Sequence, residues 1–243
     1  MISLLWPAWP APANVHAVTT TRQGGCSVEP FASLNLADHV GDAPACVARN
    51  RALIAEECNL PDTPSWLHQV HGARAVNSQN VEPGCQADAV FSDQPGAVCA
   101  VLTADCLPLL MTDRSGGEVC AVHAGWRGLA AGVIENALLR FRSPMEELLV
   151  WLGPAIGPAA FEVGEEVRDA FLGQHEESDR FFTCNRPGHW LADIYGLARM
   201  RLEAAGVGFV CGGEYCTLTQ DELFFSYRRE GVTGRMASMI WFE

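Results

Sequence analysis

The amino-acid sequence predicts an α+β fold in which a sandwich of mixed β-sheets is flanked by helices. Apolar, β-branched segments of strand length dominate the middle of the chain, and segments with apolar residues at every third or fourth position occur around them. Strands and helices do not alternate strictly, which favours α+β over a parallel α/β sheet. With 243 residues, of which 49% are apolar, the chain is long enough to form one domain over residues 1–243.

The predicted strands have the apolar character of buried sheets. They span residues 14–21, 87–92, 97–106, 107–112, 119–124, 148–152, 224–227 and 236–242. The predicted helices span residues 43–58, 128–141, 165–172 and 193–205. Asp42 is the expected N-cap of the first helix, residues 22–25 form a turn, and the polar segment 174–187 is expected to be a surface excursion.

The charge balance excludes one class of function. The chain has 16 basic and 29 acidic residues and a formal net charge of −13, which is unfavourable for holding nucleic acid or an anionic membrane on a broad basic surface. A small molecule is the expected partner, and any phosphate must be met by arginines gathered locally. The N-terminus lacks a cationic leader, and no apolar run approaches the ~18 residues of a membrane span. We therefore expect a soluble, cytoplasmic protein, and a monomer is the default expectation because the sequence does not indicate an oligomeric state.

The ten cysteines are expected to be reduced thiols. In a cytoplasmic protein they serve as small core residues, metal ligands or nucleophiles. Cys99 and Cys120 lie within apolar strands and are expected to be packing residues. No CxxC pair occurs, which argues against a closed structural zinc site and against a thioredoxin-like redox site.

A predicted hairpin joins two motifs, TADCLP and HAGWRG, that contain Cys106 and His123. If the turn pairs Asp113 with Glu118, then His123 falls opposite Pro108, and Cys106 lies two residues further along on the same face. Diagonal neighbours on one face lie about 7–8 Å apart, a span that an imidazole and a thiolate can close around one metal ion. The hairpin therefore indicates two ligands of a metal site.

A third ligand is expected from the segment WLHQVHG. His71 precedes Gly72 at a predicted strand end, where its side chain can reach into a cleft, and His68 is the reserve candidate. A His/Cys/His set leaves the fourth position of a zinc ion for water, as catalytic zinc requires. Two neutral imidazoles and one thiolate give the site a formal charge of about +1, which lowers the pKa of bound water and attracts an anion.

Each of these residues also has an ordinary structural explanation. A single buried cysteine is usually a packing residue, and a single histidine is usually a hydrogen-bonded core or surface residue. The glycines of residues 20–25 fit a simple turn, and residues 226–229 fit a solvated strand end. Spacing alone therefore leaves both interpretations open.

Seven motifs in a fixed order carry a family resemblance. They are TTRxGG from Thr20, SLNL from Ser33, HG at His71, ADCxP from Ala104, HAGWRG from His123, GPxIGP from Gly153 and FSYRR from Phe225. Together they closely resemble the YfiH family, which has been called multicopper polyphenol oxidase or laccase-like and later purine nucleoside phosphorylase. The resemblance covers essentially the whole chain, and the family's metal positions map to His71, Cys106 and His123.

The resemblance implies a zinc enzyme of purine nucleoside metabolism. Family members are described as cleaving adenosine, inosine, guanosine and methylthioadenosine with phosphate, and as deaminating adenosine to inosine. For deamination, zinc would activate water for attack on C6 of adenine. His71, Cys106 and His123 would then be catalytic as well as metal ligands, with copper as an opportunistic occupant. Asp105 is the expected acid that shuttles protons.

The resemblance also implies a phosphate site close to C1′ of the ribose. Arginine suits this site because its planar fork matches two phosphate oxygens. Arg22, Arg127 and Arg228 are the expected phosphate-binding residues, and Asn35 is the expected neutral donor to ribose or phosphate. Surface salt bridges remain the alternative role for Arg127 and Arg228.

Three rival functions are weighed against this one. A laccase requires paired His-x-His motifs, and none occurs among the seven histidines. A Cys106/His123 amide hydrolase is the stronger rival, because the implied fold resembles a bacterial toxin deamidase, and some relatives are described as editing peptidoglycan precursors (UDP-MurNAc-peptide). The third rival is a noncatalytic zinc-binding module. Alkylation of Cys106 in metal-free protein separates a nucleophile from a zinc ligand.

Overall fold

The computed structural model describes residues 2–243. Its strands are β1 (Leu4–Leu5), β2 (Val15–Thr20), β3 (Ala75–Asn77), β4 (Ala89–Ser92), β5 (Cys99–Thr103), β6 (Leu107–Asp113), β7 (Val119–Ala124), β8 (Leu148–Leu152), β9 (Glu162–Gly164), β10 (Phe182–Arg186), β11 (His189–Ala192), β12 (Phe209–Gly212) and β13 (Met236–Phe242). Its α-helices are α1 (Pro44–Glu57), α2 (Trp126–Ala130), α3 (Val133–Leu138), α4 (Glu165–Leu172), α5 (Ile194–Ala204) and α6 (Tyr227–Glu230). Short 3₁₀ turns occur at Ser78–Asn80, Met145–Glu147 and Glu176–Phe181. Within residues 2–243, no helix is both long enough and apolar enough to cross a membrane.

The strands form three sheets, which confirms the predicted α+β class. The largest has six strands in the order β12-β8-β6-β7-β4-β3, the second has four in the order β1-β2-β13-β5, and the third has three in the order β10-β11-β9. The six-stranded sheet is mixed, because β12 pairs with β8 and β3 pairs with β4 in parallel while its other pairs are antiparallel. Strands from distant parts of the chain therefore meet in one sheet.

The four-stranded and six-stranded sheets pack face to face, as the sandwich prediction required. Val101 and Ile240 of the smaller sheet share one apolar cluster with Leu110 of the larger sheet. The neighbouring residue Leu109 belongs to a second cluster, in which α2 to α5 cover the opposite face. Because side chains alternate across a strand, β6 is apolar on both faces. The helices therefore lie outside the sandwich.

The β6–β7 hairpin has the predicted register. Pro108 pairs with His123, and the N–H of Asp113 donates to the carbonyl of Glu118 at 3.3 Å. The Asp113 carboxylate also accepts hydrogen bonds from the N–H groups of Gly117 and Glu118, both at 2.9 Å. Since this carboxylate closes the turn, a one-residue slip is disfavoured.

Two predicted elements are wrong in the structure. The helix expected over residues 128–141 is divided into α2 and α3, because Gly132 adopts a left-handed conformation with φ of +90°. Residues 224–227 do not form a strand. Phe224 and Phe225 are fully buried, and Ser226 accepts a hydrogen bond from the N–H of Arg229 and so caps α6.

Two smaller expectations, for Asp42 and His71, also need correction, whereas that for the segment 174–187 does not. Asp42 does not cap α1: the N-cap is Ala43, and the Asp42 carboxylate turns inward to accept hydrogen bonds from Ser27 and Asn35. The segment 174–187 is mostly exposed, as expected of a surface excursion, and it includes β10. His71 does not lie at a strand end but in a bend, with a left-handed φ of +57°.

Candidate metal centre and active site

His71, Cys106 and His123 lie together in the structure. One donor atom from each residue lies within 4.8 Å of the donors of the other two, and the two imidazole rings meet edge to face with centroids 4.8 Å apart. The hairpin register brings Cys106 and His123 together, and a separate bend delivers His71. We call these three residues the metal corner. His68, the reserve candidate, is not part of this group.

A buried carboxylate holds the bend that carries His71. Asp88 is fully buried and accepts hydrogen bonds from the N–H groups of Val70 at 3.3 Å, His71 at 2.9 Å and Gly72 at 2.7 Å. Three converging donors form an anion-binding nest, and they offset the cost of a left-handed backbone at a residue other than glycine. Asp88 therefore fixes the position of a histidine that is itself exposed.

The same carboxylate orients the second histidine. The Nδ1 atom of His123 lies 2.8 Å from Asp88 Oδ1, which leaves Nε2 to face the metal corner. Burial raises the pKa of the Asp88 carboxyl, but the hydrogen bond and charge of His123 and the N–H groups of Gly72 and Val70 outweigh it, so the pKa lies below its ordinary value. Sequence reasoning missed Asp88. The only signal was an acidic residue at the start of an otherwise apolar strand.

Cys106 and His123 form a strongly interacting pair. Burial raises the pKa of the Cys106 thiol, but the nearby imidazoles of His123 and His71 outweigh burial and lower it to about 6. Burial lowers the pKa of His123, but Cys106 and Asp88 outweigh it and raise this pKa to about 9. A thiolate beside an imidazolium is favoured without a metal, and a thiolate is also the form that a metal requires.

The residues present fit a metal ion. A Cβ atom at Gly125 would lie 2.8 Å from His71 Nδ1 and 3.1 Å from Cys106 Sγ, so the glycine leaves the space that an ion would share with both donors. Two ligands of a tetrahedral zinc ion lie about 3.5 Å apart, given Zn–N and Zn–S bonds of about 2.1 and 2.3 Å. Small side-chain rotations would bring the three donors to this spacing. The structure thus has a His/Cys/His group that could bind a metal.

The metal corner opens into a cavity of about 470 Å³. Its polar wall contains Asp105 and three arginines, Arg127, Arg228 and Arg235, which we call the arginine end. The rest of the lining combines apolar side chains with polar ones: Leu102, Ala104, Trp126, Ile156, Phe161 and Ile194 with His39, Gln69, Thr103 and Tyr227. A cavity of this size with a few converging polar groups is typical of a small-molecule site.

Asp105 lies beside Cys106 in the same cavity. Its backbone is left-handed, with φ of +87°, so the two side chains are not forced to opposite faces as they would be on a regular strand. The carboxylate accepts hydrogen bonds from the hydroxyl of Thr217 at 2.6 Å and from the N–H of Arg228 at 2.7 Å. Asp105 therefore connects the cavity lining to Thr217 and to the segment that carries Arg228.

Two of the expected phosphate-binding arginines line the cavity. Arg127 is exposed, and its guanidinium lies 4.4 Å from the ring centroid of Trp126. Arg228 is also exposed; its Nη1 donates to the carbonyl of Glu162 at 2.8 Å, and its guanidinium lies 5.7 Å from the ring centroid of Phe161. Neither guanidinium pairs with a carboxylate among the described residues; the hydrogen bond from Arg228 to Asp105 is made by its backbone N–H. Both cations are therefore available to a ligand.

Arg22, the third expected phosphate-binding residue, is not among the residues that line the cavity. The guanidinium donates to the carbonyl of Ala32 at 3.0 Å, pairs with Glu230 at 2.9 Å and packs over the ring of Phe225. These contacts hold the loop after β2 against Glu230 of α6 and the adjacent Phe225. Arg22 thus helps to hold the segment that carries Arg228.

Asn35 also lies outside the cavity lining. It is fully buried, and its amide accepts hydrogen bonds from the N–H groups of Ala37 and Arg235, both at 3.0 Å. The amide nitrogen donates to Asp42 and to the carbonyl of Ala37, both at 2.9 Å. Asn35 therefore acts on a cavity arginine and does not face a ligand. Arg235 itself was missed by sequence reasoning.

The fold and the site define an α+β protein with a His/Cys/His cluster at the end of a small-molecule cavity. The chain belongs to the family described as multi-copper polyphenol oxidoreductase laccase, whose profile matches residues 16–243. A crystal structure of a Neisseria meningitidis protein has a TM-score of 0.95 and 48% identity, covering 99% of each chain. The fold is therefore shared along the whole chain.

Curated relatives in this family carry another description. The chain is 53% identical over 244 residues to a Pseudomonas aeruginosa protein named purine nucleoside phosphorylase, with 100% of each chain covered. It is 51% identical over 243 residues to the purine nucleoside phosphorylase YfiH of Escherichia coli, with 99% of each covered. The resemblance to the YfiH family is thereby confirmed.

Proposed function

We propose that this protein is a zinc-dependent purine nucleoside phosphorylase that also deaminates adenosine. Its substrates are adenosine, inosine, guanosine and methylthioadenosine, which react with phosphate to give a free base and a sugar 1-phosphate. We place it in the cytoplasm as a monomer. The observation that carries the proposal is that the metal corner and the arginine end share one cavity. The names of the relatives from Pseudomonas aeruginosa and Escherichia coli support it.

The lining of the cavity suits the two parts of a nucleoside reaction. Leu102, Ile156, Phe161 and Ile194 offer apolar surface to a flat base, while the arginines offer cationic donors to phosphate. The net charge of −13 repels anions from most of the surface, so phosphate binding depends on this local group. The polar and apolar walls therefore fit different parts of the substrate pair.

Phosphorolysis needs little covalent participation by the protein. A phosphate oxygen bonds to C1′ while the C1′–N9 bond breaks, and the electron pair leaves with the base, which takes up a proton. Positive charge near the phosphate positions the nucleophile beside the electron-deficient sugar. Arg127, Arg228 and Arg235 can provide this charge, and the products are the free base and the sugar 1-phosphate.

With zinc bound, the metal corner would serve both reactions: its positive charge would add to that of the arginines in phosphorolysis, and it would activate water in deamination. His71, Cys106 and His123 would hold zinc, which supplies Lewis acidity and lowers the pKa of water when bound. The oxygen of water adds to C6 of adenosine, the C6–N6 bond breaks, and the amino group leaves as ammonia. We assign proton transfer to Asp105, since its carboxylate lies in the same cavity.

The test is chromatography of adenosine and inosine after incubation with zinc-loaded protein, with and without phosphate. Cys106→Ala and a chelated sample are the negative controls, and Cys184→Ala removes an exposed thiol that has no place in the cavity. We expect phosphate-dependent release of adenine and hypoxanthine with wild type and Cys184→Ala only. Nucleosides that stay intact under every condition would refute the proposal.

A second candidate function is a Cys/His amide hydrolase that edits peptidoglycan precursors. The lowered pKa of the Cys106 thiol and its pairing with His123 favour this alternative, because a thiolate beside an imidazolium is an activated nucleophile. Incubation with a UDP-MurNAc-peptide tests it directly. A covalent adduct on Cys106 in metal-free protein, with amide cleavage, would favour the hydrolase. Inactivity on nucleosides and amides alike would favour a noncatalytic zinc-binding module.

A further inference from the structure

Arg235 belongs to the arginine end and lies on the cavity wall just before β13. Its guanidinium lies 5.8 Å from the ring centroid of Tyr227, and the charges of Cys106 and Asp105 are close enough to act on it. Unlike Arg127 and Arg228, which are exposed, Arg235 is partly buried. Burial lowers the pKa of its guanidinium, so this cation is poorly solvated without an anion.

The guanidinium of Arg235 has unused donors. Within residues 2–243, its only hydrogen bonds run from Nη1 to the carbonyls of Thr233 at 2.8 Å and Gly234 at 3.0 Å. It has no carboxylate partner among these residues, whereas Arg22 and Arg229 both pair with Glu230 at 2.9 Å. The Nε and Nη2 donors are thus left for a molecule in the cavity. Two adjacent N–H groups match two oxygens of a tetrahedral anion.

The backbone of Arg235 is fixed before any ligand binds. Its N–H donates to Asn35 Oδ1 at 3.0 Å, and its carbonyl accepts from the N–H of Leu36 at 3.3 Å. Asn35 is held in turn by Asp42 at 2.9 Å. The preceding residue must be glycine, since a Cβ at Gly234 would lie 2.7 Å from the ring of Phe225. This packing reduces the ordering that binding would require.

We propose that Arg235 is the main phosphate anchor of the cavity, with Arg127 and Arg228 as flexible outer contacts. The identification of the anion as phosphate rests on the proposed function. The chemistry recognised is a tetrahedral phosphate, either free or as the ester of a nucleoside monophosphate. Free phosphate is the expected ligand, because Arg235 lies close enough to Cys106 of the metal corner for their charges to interact.

The experiment measures binding of inorganic phosphate to zinc-loaded protein by calorimetry, together with KM values for phosphate and inosine. Arg235→Met should raise the Kd and the KM for phosphate at least about tenfold while the KM for inosine stays within about twofold. Arg235→Lys keeps the charge but loses the planar pair of donors, so its Kd and KM for phosphate should lie between those of wild type and Arg235→Met. Arg180→Met removes one exposed cation that is not part of the cavity lining and should change nothing. Circular dichroism and zinc content show whether each variant is folded. If Arg235→Met does not fold, the phosphate affinity of Arg235→Lys tests the proposal.

The outcomes separate this proposal from the proposed function. Phosphate binding that depends on Arg235, without any phosphorolysis, would leave the anchor standing and refute the phosphorylase. Unchanged phosphate affinity in both Arg235 variants, or no phosphate binding by wild type, would overturn the anchor. Tighter Arg235-dependent binding of inosine monophosphate than of free phosphate would overturn the free anion as the ligand.

Discussion

The metal corner and the arginine end lie in one cavity but are built differently. At the metal corner a single buried carboxylate, Asp88, bonds directly to His123 and to the backbone of His71. At the arginine end the buried carboxylate of Asp42 acts through an intermediate, because it holds Asn35, which holds the backbone of Arg235. Asp88 therefore bonds directly to the functional residues, whereas Asp42 acts on Arg235 only through Asn35.

The difference follows from what each end must do. Metal coordination requires three donors within a few tenths of an ångström, so their directions must be set by short hydrogen bonds. An arginine meets a phosphate through a long side chain that can adjust, so fixing its backbone is sufficient. We therefore expect damage at the metal corner to cost more than equivalent damage at the arginine end.

The largest effect is expected from Gly125→Ala. The backbone of Gly125 is in the extended region, with φ of −65° and ψ of 157°, so alanine is tolerated there. Its Cβ would instead enter the metal corner, 2.8 Å from His71 Nδ1. A displacement of this kind lowers the rate about a hundredfold. The measurements are the metal content of the variant and its rate of inosine phosphorolysis. Gly117→Ala, whose nearest contact is 3.6 Å away, is the control. A variant with full metal content would contradict the assignment of this space to an ion.

Asp88→Asn should have the next largest effect. An amide has one oxygen, so it cannot accept from His71, Gly72 and His123 as the carboxylate does. We expect metal affinity to fall about 10-fold to 100-fold, which is usual for a lost partner of a metal-bound histidine. Titration against a competing chelator measures the affinity. Asp93→Asn, which removes a carboxylate paired with Arg142, should leave it unchanged. Equal affinity in both variants would show that Asp88 is not needed to orient the ligands.

Much of the metal corner could be predicted from the sequence, because two of its three residues, Cys106 and His123, are brought together by one short hairpin. The register of the β6–β7 hairpin depends on a short turn closed by Asp113, and this turn alone sets Cys106 near His123. Asp88 could not be predicted in the same way. It lies 35 residues from His123, and its role depends on the pairing of β4 with β7, which no spacing rule reveals.

The arginine end was harder to predict for a different reason. A motif gives residue types but not the direction of each side chain. Arg22 and Asn35 belong to motifs of the family, yet neither lines the cavity, and both bond instead to other parts of the chain. Arg235 belongs to none of the motifs that carried the resemblance, and only the packing around β13 places it on the wall.

Asn35→Ala tests the indirect support. It removes the acceptor for the N–H of Arg235 and leaves Asp42 without one donor. We expect the KM for phosphate to rise about threefold to tenfold, because a lost hydrogen bond of this kind costs about 1–1.5 kcal/mol. A high phosphate concentration should restore kcat, whereas general loss of structure would lower kcat at every concentration. Asn136→Ala, which removes an exposed amide bonded to Ala73, is the matched control. An unchanged KM would separate Asn35 from phosphate binding.

The smallest effect is expected in the pH dependence of alkylation of metal-free protein. The pKa of the Cys106 thiol is lowered to about 6, so the thiolate is already half formed at that pH and is lost only as the pH falls further. Between pH 6 and pH 8 the rate with iodoacetamide should therefore rise only about twofold, whereas an ordinary thiol of pKa about 8.5 should rise on the order of a hundredfold. Mass spectrometry of the Cys106 peptide measures the rate, with glutathione as the reference thiol. Zinc should suppress the reaction at every pH, because it occupies the same sulfur. A hundredfold rise in the alkylation rate of Cys106 would mean that the imidazoles of His71 and His123 do not stabilise its thiolate. The metal corner would then lack the electrostatic organisation that distinguishes it from the arginine end.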